Sequence, residues 1–473
     1  MGDSIEMKRL LEPHDAFSDT SSVIGLRGKA MDLFNETLDD ECDTDTTYDS
    51  DHTTKSMKEA HSSPYRWFML FLLSFNTLLM SVSAICLSTI SDILLPFYDE
   101  VYNPFTMALL VNIPSFMYIL IAVPISIMMA RYGLRPVIIT ASMFTTLSCG
   151  FRYAGAHKNG FIFIVVSQFI VSISFSMLLQ MPAKLAKVWF PKNERNIATS
   201  IGAYMYILGI AVGYFWSTQL VHASKADLLT PEHSLQILYG SQIGLGLLSV
   251  ILTLILFKEE PGNSSVFEKV KRMDKQEKSF LKSIKKLMAN KRFHMVGHAY
   301  GIYWGINHSL NVLSSFLVRT RHVVGGKEIG WMTFVKNISS VATVVAVAML
   351  LDRFQRYRLT STVLHATSFV LFTVFYTLTI YVDFFGLYVS YCIYGLAAVP
   401  YITIGLQHIS VLTTPVPETT SNAFILVFGN IYGSALSLTI AYGLEYVGIA
   451  LGYIISGLYL ISTLLVLFAS SEI

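Results

Sequence analysis

From about Tyr65 to about Ser470 the chain alternates long apolar runs with short polar turns, and one long hydrophilic stretch, Lys258 to Arg292, interrupts the series. Each run is near twenty residues, the length that crosses a hydrocarbon core of ~30 Å at ~1.5 Å per helical residue. About six such runs stand on each side of the interruption, so the pattern predicts an all-α membrane protein of about twelve spanning helices in two six-helix halves, a transporter architecture. The predicted organisation is a disordered tail over 1–64, a first half over 65–257, a charged linker over 258–292 and a second half over 293–473. The linker mixes Lys with Glu and reads as a charged surface helix at the cytoplasmic interface.

Composition agrees with that reading. Of 473 residues, 53% are hydrophobic and 14% charged, where a soluble domain carries about a quarter charged. The formal net charge of +2 gives no footing for a nucleic-acid partner. Cys42, Cys86, Cys149 and Cys392 stand far apart, which is neither a disulfide framework nor a metal cluster. The first fifty residues are polar and hold no cleavable signal peptide. Phosphate-loop, zinc-protease and nucleophile-elbow motifs are missing from the sequence, so the reading is not an enzyme and calls for no cofactor and no metal.

Charge placement orients the chain. Arg131 and Arg135 follow the second run, Lys184, Lys187, Lys192 and Arg195 the fourth, and Arg353, Arg356 and Arg358 the eighth. Basic loops favour the cytoplasm, which puts both termini inside; Arg319, Arg321 and Lys327 after the seventh run dissent. Asp92, Asp352 and Glu445 sit at run edges, and no acid stands near a run centre. Proton-coupled pumps usually keep a carboxylate in the cavity, so facilitated diffusion is the simpler mechanism, with His308 the alternative proton carrier. The polar residues inside runs are Asn307, His308, Lys336, Asn337 and Gln168. Lys336 lies about two turns into its helix and reads as snorkelling to the near interface. Should it face a cavity with His308 instead, the site would be weakly cationic and suit a carboxylate-bearing or neutral polar solute. Gly209 and Gly213 permit close helix approach, and Pro124, Pro182 and Pro400 mark possible kinks. Tyr391, Tyr394 and Tyr401 read as a packed helix face.

Two loops rhyme across the halves: ARYGLR (Ala130 to Arg135) and DRFQRYR (Asp352 to Arg358). They resemble the helix-2/helix-3 signature of the major facilitator superfamily, intact at Asp352 and Arg353 but with Ala130 at the Asp position of the first half. The resemblance implies a gating role for Asp352, Arg353, Arg131 and Arg135. Together with Arg66-Trp67, Gln180 to Arg195, Tyr300-Gly301 and the segment Pro417 to Gly429, these motifs resemble the feline leukaemia virus subgroup C receptor-related transporters. That branch includes choline, ethanolamine and haem transporters. It implies a small organic solute, choline- or ethanolamine-like, haem or vitamin-like, moved by alternating access through a cavity lined by helices one, four, seven and ten. Carried over by position, the branch's substrate residues fall at Ala84, Ser83, His308, Phe175 and Leu426, with Asn307 beside them. Its aromatic cage for quaternary ammonium is therefore not carried over, since Ala84 offers no ring face. The alternatives are a haem exporter specifically, or a receptor or sensor on a transporter scaffold. The expected partners are a small solute and the bilayer, with the chain a monomer.

The tail holds Glu6, Leu10 and Leu11 in the spacing of an acidic dileucine signal, read by clathrin adaptor complexes and directing proteins to endolysosomal membranes. The plasma membrane is the alternative location. Replacing Leu10 and Leu11 by Ala is expected to move the protein to the cell surface, measured by surface biotinylation. An unchanged distribution would leave the leucine pair without a sorting role.

Overall fold

The computed structural model describes residues 64–99, 103–191, 194–221, 230–259, 282–319, 325–381, 384–414, 416, 418–446 and 450–469. Glu6, Leu10 and Leu11, most of the predicted linker, and the side chains of Ala130 and Asp352 lie outside the described residues. The long helices of the first half are α1 (Tyr65–Thr89), α2 (Pro104–Tyr132), α3 (Leu134–Ala154), α4 (Phe161–Trp189), α5 (Arg195–Leu220) and α6 (Pro231–Leu256). Those of the second are α7 (Lys291–Arg319), α8 (Gly326–Phe354), α9 (Tyr357–Tyr381), α10 (Phe384–Leu412), α11 (Glu418–Tyr446) and α12 (Ala450–Phe468). After α1, where the sequence pattern suggests loop, Ser91–Phe97 forms a short extra helix. Residues 282–288, inside the predicted linker, are helical.

Among the described residues, 11 helices are long and apolar enough to cross a membrane, and α7 is not one of them. It has the length, 29 residues, but carries His294, His298, Asn307, His308 and Asn311. Its neighbours are α11, α12, α10, α8, α1 and α2, so protein rather than lipid meets its polar face, as intramembrane polar side chains require.

Helix pairing repeats between the halves. In the first, α1 packs on α5, α3 on α4 and α6, and α2 on α4; in the second, α7 packs on α11, α9 on α10 and α12, and α8 on α10. The seam between halves is made by α5 on α8 and α11 on α2. Advancing each helix by half the series maps every pair onto another, which is the parallel-repeat symmetry of this architecture.

Local chemistry explains the breaks. α4 is interrupted at Leu179 and Gln180, just ahead of Pro182, which lacks the N–H a continuous helix needs. Gln180 binds across the gap, its Nε2 donating to the Ala122 carbonyl at 3.3 Å and its Oε1 accepting from Ser126 Oγ at 2.6 Å. Pro124 and Pro400 stay inside continuous helices. At Gly209 a Cβ would stand 2.6 Å from the Leu78 carbonyl oxygen, and at Gly213 one would stand 2.7 Å from Ile85 Cγ2, so the α1–α5 contact depends on both glycines. Gly209→Ala must push backbone apart and is expected to destabilise by about 1–3 kcal/mol. Gly244, with nothing within 4 Å of its Cβ position, is expected to accept Ala without loss. Thermal unfolding in detergent compares the two, and equal melting would refute the close approach.

Candidate functional site

A cavity lies where α5, α7, α8 and α10 meet at the seam. Tyr206, Ile207, Ile210, Trp304, Asn307, His308, Asn311, Lys336, Asn337, Val399 and Ile402 line it, and the centre of a water sweeps only about 20 Å³ inside. One water needs ~10–15 Å³ on that measure, and a ligand pocket is usually several hundred Å³ in size. The halves have therefore closed on the site. α1 and α4, expected in the lining, contribute nothing to it; the first half reaches it through α5, which packs on α1 and meets α8 at the seam.

The polar walls are specific. Lys336 is 1% exposed, its Nζ donating to Asn311 Oδ1 at 3.0 Å and standing 4.9 Å from the centre of the Tyr391 ring. The snorkelling expectation is overturned: Asn311 and the ring face replace water around the ammonium. Asn112 spends its amide hydrogens on the Ala108 carbonyl and Ser437 Oγ, each at 2.6 Å. Its Oδ1 therefore accepts, and His308 Nε2–H donates to it at 3.0 Å. His308 thus forms cavity wall and seam bond at once. Asn307 lines the cavity with its amide already engaged, Nδ2 donating to Tyr459 Oη at 3.1 Å and Oδ1 accepting from Tyr394 Oη at 3.2 Å. Trp304 and Tyr206 stack at 5.7 Å with planes 10° apart. No Asp or Glu stands among these lining residues.

The other positions singled out in the sequence scatter. Phe175 is one ring removed from the cavity, 5.8 Å from Tyr206 and 6.0 Å from Tyr118. Ser83 belongs to a separate first-half cluster, accepting from Arg152 Nη1 at 3.0 Å; Gln168 joins the same arginine. Ala84 is half-buried on α1, and Leu426 is buried in the α11 core. Neither lines the cavity. Tyr394 and Tyr401 pack among Tyr303, Tyr459 and His365, as a packed face predicts. Tyr206, Trp304 and Asn311 went unnoticed in the sequence. Trp304, His308 and Asn311 share one face of α7 at helical spacing, a signal the sequence did carry; Tyr206 offers none.

The gating candidates lie at the ends of α2 and α8. Arg131 is exposed, 5.8 Å from the Tyr132 ring, and Arg353 is exposed, 5.4 Å from the Phe354 ring. Arg135 Nη2 donates to the Leu254 carbonyl at 3.2 Å, tying α3 to α6 within the first half. A carboxylate does serve this turn, supplied from Glu259 after α6. Its oxygens accept from the Leu134 and Arg135 backbone N–H groups at 2.6 Å each, capping α3 where Gly133 (φ 86°) reverses the chain. A negative group at a helix N-terminus is favourable through the helix dipole. An ion pair at 2.8 Å, Arg66 with Glu194, links the start of α1 to the start of α5.

The seam itself is bonded on both sides of the cavity. Toward the α2–α3 end, Gln407 Nε2 donates to the Asn196 carbonyl at 2.7 Å and to Ser200 Oγ at 2.8 Å. Toward the opposite end, Ser88 Oγ donates to the Val312 carbonyl at 2.8 Å and Tyr214 Oη to the Asn311 carbonyl. A larger cleft of about 590 Å³, with Arg356, Arg358 and His408, lies between α9, α10 and α12 of the second half.

A two-half helical bundle with a polar cavity closed between its halves defines a membrane solute transporter. The chain belongs to the Major Facilitator Superfamily, whose pattern matches residues 67–438. Within it the chain is similar to the choline/ethanolamine transporter flvcr2a of Danio rerio, 24% identical over 412 residues, 86% of this chain and 87% of that protein. It is also similar to the human choline/ethanolamine transporter FLVCR2, 25% identical over 79% of this chain and 71% of that one. An uncharacterized transporter of the superfamily from Caenorhabditis elegans is 24% identical over 79% of this chain, which spans only 63% of that protein. These relatives place the chain with the feline leukaemia virus subgroup C receptor-related branch. Among solved structures, the transporter FucP in its outward conformation superposes with a TM-score of 0.60 at 16% identity, covering 85% of this chain and 99% of FucP.

Proposed function

We propose that this transporter carries a small neutral or anionic polar solute by alternating access, the halves rocking about the central cavity. The observation that carries this reading is the lining: Lys336 and His308 with three asparagines, beside the Trp304–Tyr206 stack and without a carboxylate. A quaternary ammonium held about 5 Å from Lys336 would meet ~3 kcal/mol of repulsion at an effective dielectric of ~20. A ring face returns about 2 kcal/mol, so repulsion wins. Choline, which the Danio rerio and human relatives carry by their names, is the second reading, favoured by the Trp304 and Tyr206 rings. With no acid in the lining to hold a coupled ion, flux follows the solute's own gradient. Gating by Asp352 with Arg353, and sorting by Glu6, Leu10 and Leu11 to endolysosomal membranes, complete the proposal.

Flux into liposomes bearing the purified chain, offered choline, ethanolamine, haem and B vitamins in turn, tests the substrate. Transport of a neutral or anionic member is expected, and it should persist with a protonophore present. His308→Ala should lower that flux several-fold at unchanged abundance, and Lys336→Met should raise choline flux. Rapid choline transport by the unaltered chain, indifferent to Lys336→Met, would overturn the charge argument. Collapse of flux under the protonophore at a fixed solute gradient would overturn the uncoupled mechanism.

A further inference from the structure

Arg152, in the last turn of α3, is 0% exposed. Its Nε donates to Ser167 Oγ at 2.9 Å, Nη1 to the Ser83 carbonyl and to Cys86 Sγ at 3.2 Å, and Nη2 to Gln168 Oε1 at 3.4 Å. Every one of these acceptors is neutral, and among the described residues no carboxylate pairs with it. Arg66, by contrast, is 13% exposed and has Glu194. An ion buried without a partner carries a penalty of several kcal/mol, so the better-buried arginine is the one left without compensation.

A second observation says what would supply it. Gln168 Nε2, Gln242 Nε2 and the Tyr239 hydroxyl are buried and make no hydrogen bond. All three belong to the Arg152 cluster. Gln168 already accepts from the guanidinium. Gln242 is linked through Cys149, whose Sγ donates to Gln242 Oε1 at 3.7 Å and lies 3.5 Å from Ser83 Oγ. Tyr239 lies three residues before Gln242 on α6, buried on the same helix face. A positive charge with surplus donors is the reverse of a cation site.

We infer that Arg152, Gln168, Gln242 and Tyr239 form an internal site for one small inorganic anion of chloride size. Arg152, Gln168 and Tyr239 are 0% exposed and Gln242 is 4% exposed, which excludes an organic acid. The site is distinct from the central cavity, which none of these four residues lines. Its members come from α3, α4 and α6, with Ser83 and Cys86 from α1, so a bound anion ties four helices of the first half into one rigid body.

The test is thermal unfolding of the purified full chain in sodium gluconate, chloride or bromide at constant ionic strength. A ligand of the folded state raises its stability by mass action, so the midpoint is expected to rise with halide and saturate. Arg152→Gln should abolish that rise. Gln242→Leu, which keeps the charge, should shift saturation to about tenfold higher halide. His308→Ala, at the central cavity, should leave the halide response unchanged whatever the transported solute proves to be. Equal midpoints in gluconate and halide would overturn the site, and so would an equal rise in Arg152→Gln, the mark of a general salt effect. Should Arg152→Gln not fold, an unchanged saturation point in Gln242→Leu overturns it alone.

Discussion

Hydrocarbon supplies no hydrogen-bond partner, and that constraint shapes the bundle more than any single contact. A polar group inside the membrane is tolerated only where protein satisfies it. α7 is the clearest consequence. Its histidines and asparagines disqualify it as a lipid-facing span, so other helices surround it, and the central cavity forms against one of its faces. The most polar helix becomes the most central one because nowhere else would be stable.

The same constraint shapes the seam between the halves. Its bonds are side chain to backbone or side chain to side chain, as with Gln407 on Asn196 and Asn112 on Ser437. Interhelical bonds of this kind contribute only ~0.6 kcal/mol each on average. A handful on each side of the cavity therefore sums to a few kcal/mol, a modest hold between the halves. The α1–α5 contact is of another kind, glycine against backbone. It has no comparably close alternative packing, so it belongs to the rigid interior of a half and not to the seam.

Charge separates this chain's cavity from what the names of its transporter relatives suggest. The lining keeps an ammonium and an imidazole and lacks an acid, while the second buried cation, Arg152, sits apart in the first half. Both are held by neutral acceptors and, for Lys336, an aromatic face. Such groups soften the desolvation of a cation without cancelling its charge, so the field reaches whatever anion or dipole comes near.

Much was legible along the chain. Run length and spacing determined twelve helices in two halves, because a fixed hydrocarbon thickness demands a fixed length of apolar helix. The glycine pair and Pro182 announced a close contact and a break, since both effects are local to the backbone. His308 was marked out as a histidine within a span. What only the tertiary structure decided is which groups meet. Lys336 looked like an interface residue by its position along α8, yet Asn311 and Tyr391 bury it. Arg152 stands at the end of its run beside loop residues, and nothing local distinguishes it from a surface anchor. The carboxylate that caps α3 comes from Glu259, more than a hundred residues beyond the position where the superfamily signature keeps its own. Periodicity reports how each helix divides its faces; partners drawn from distant helices are settled only when the bundle closes.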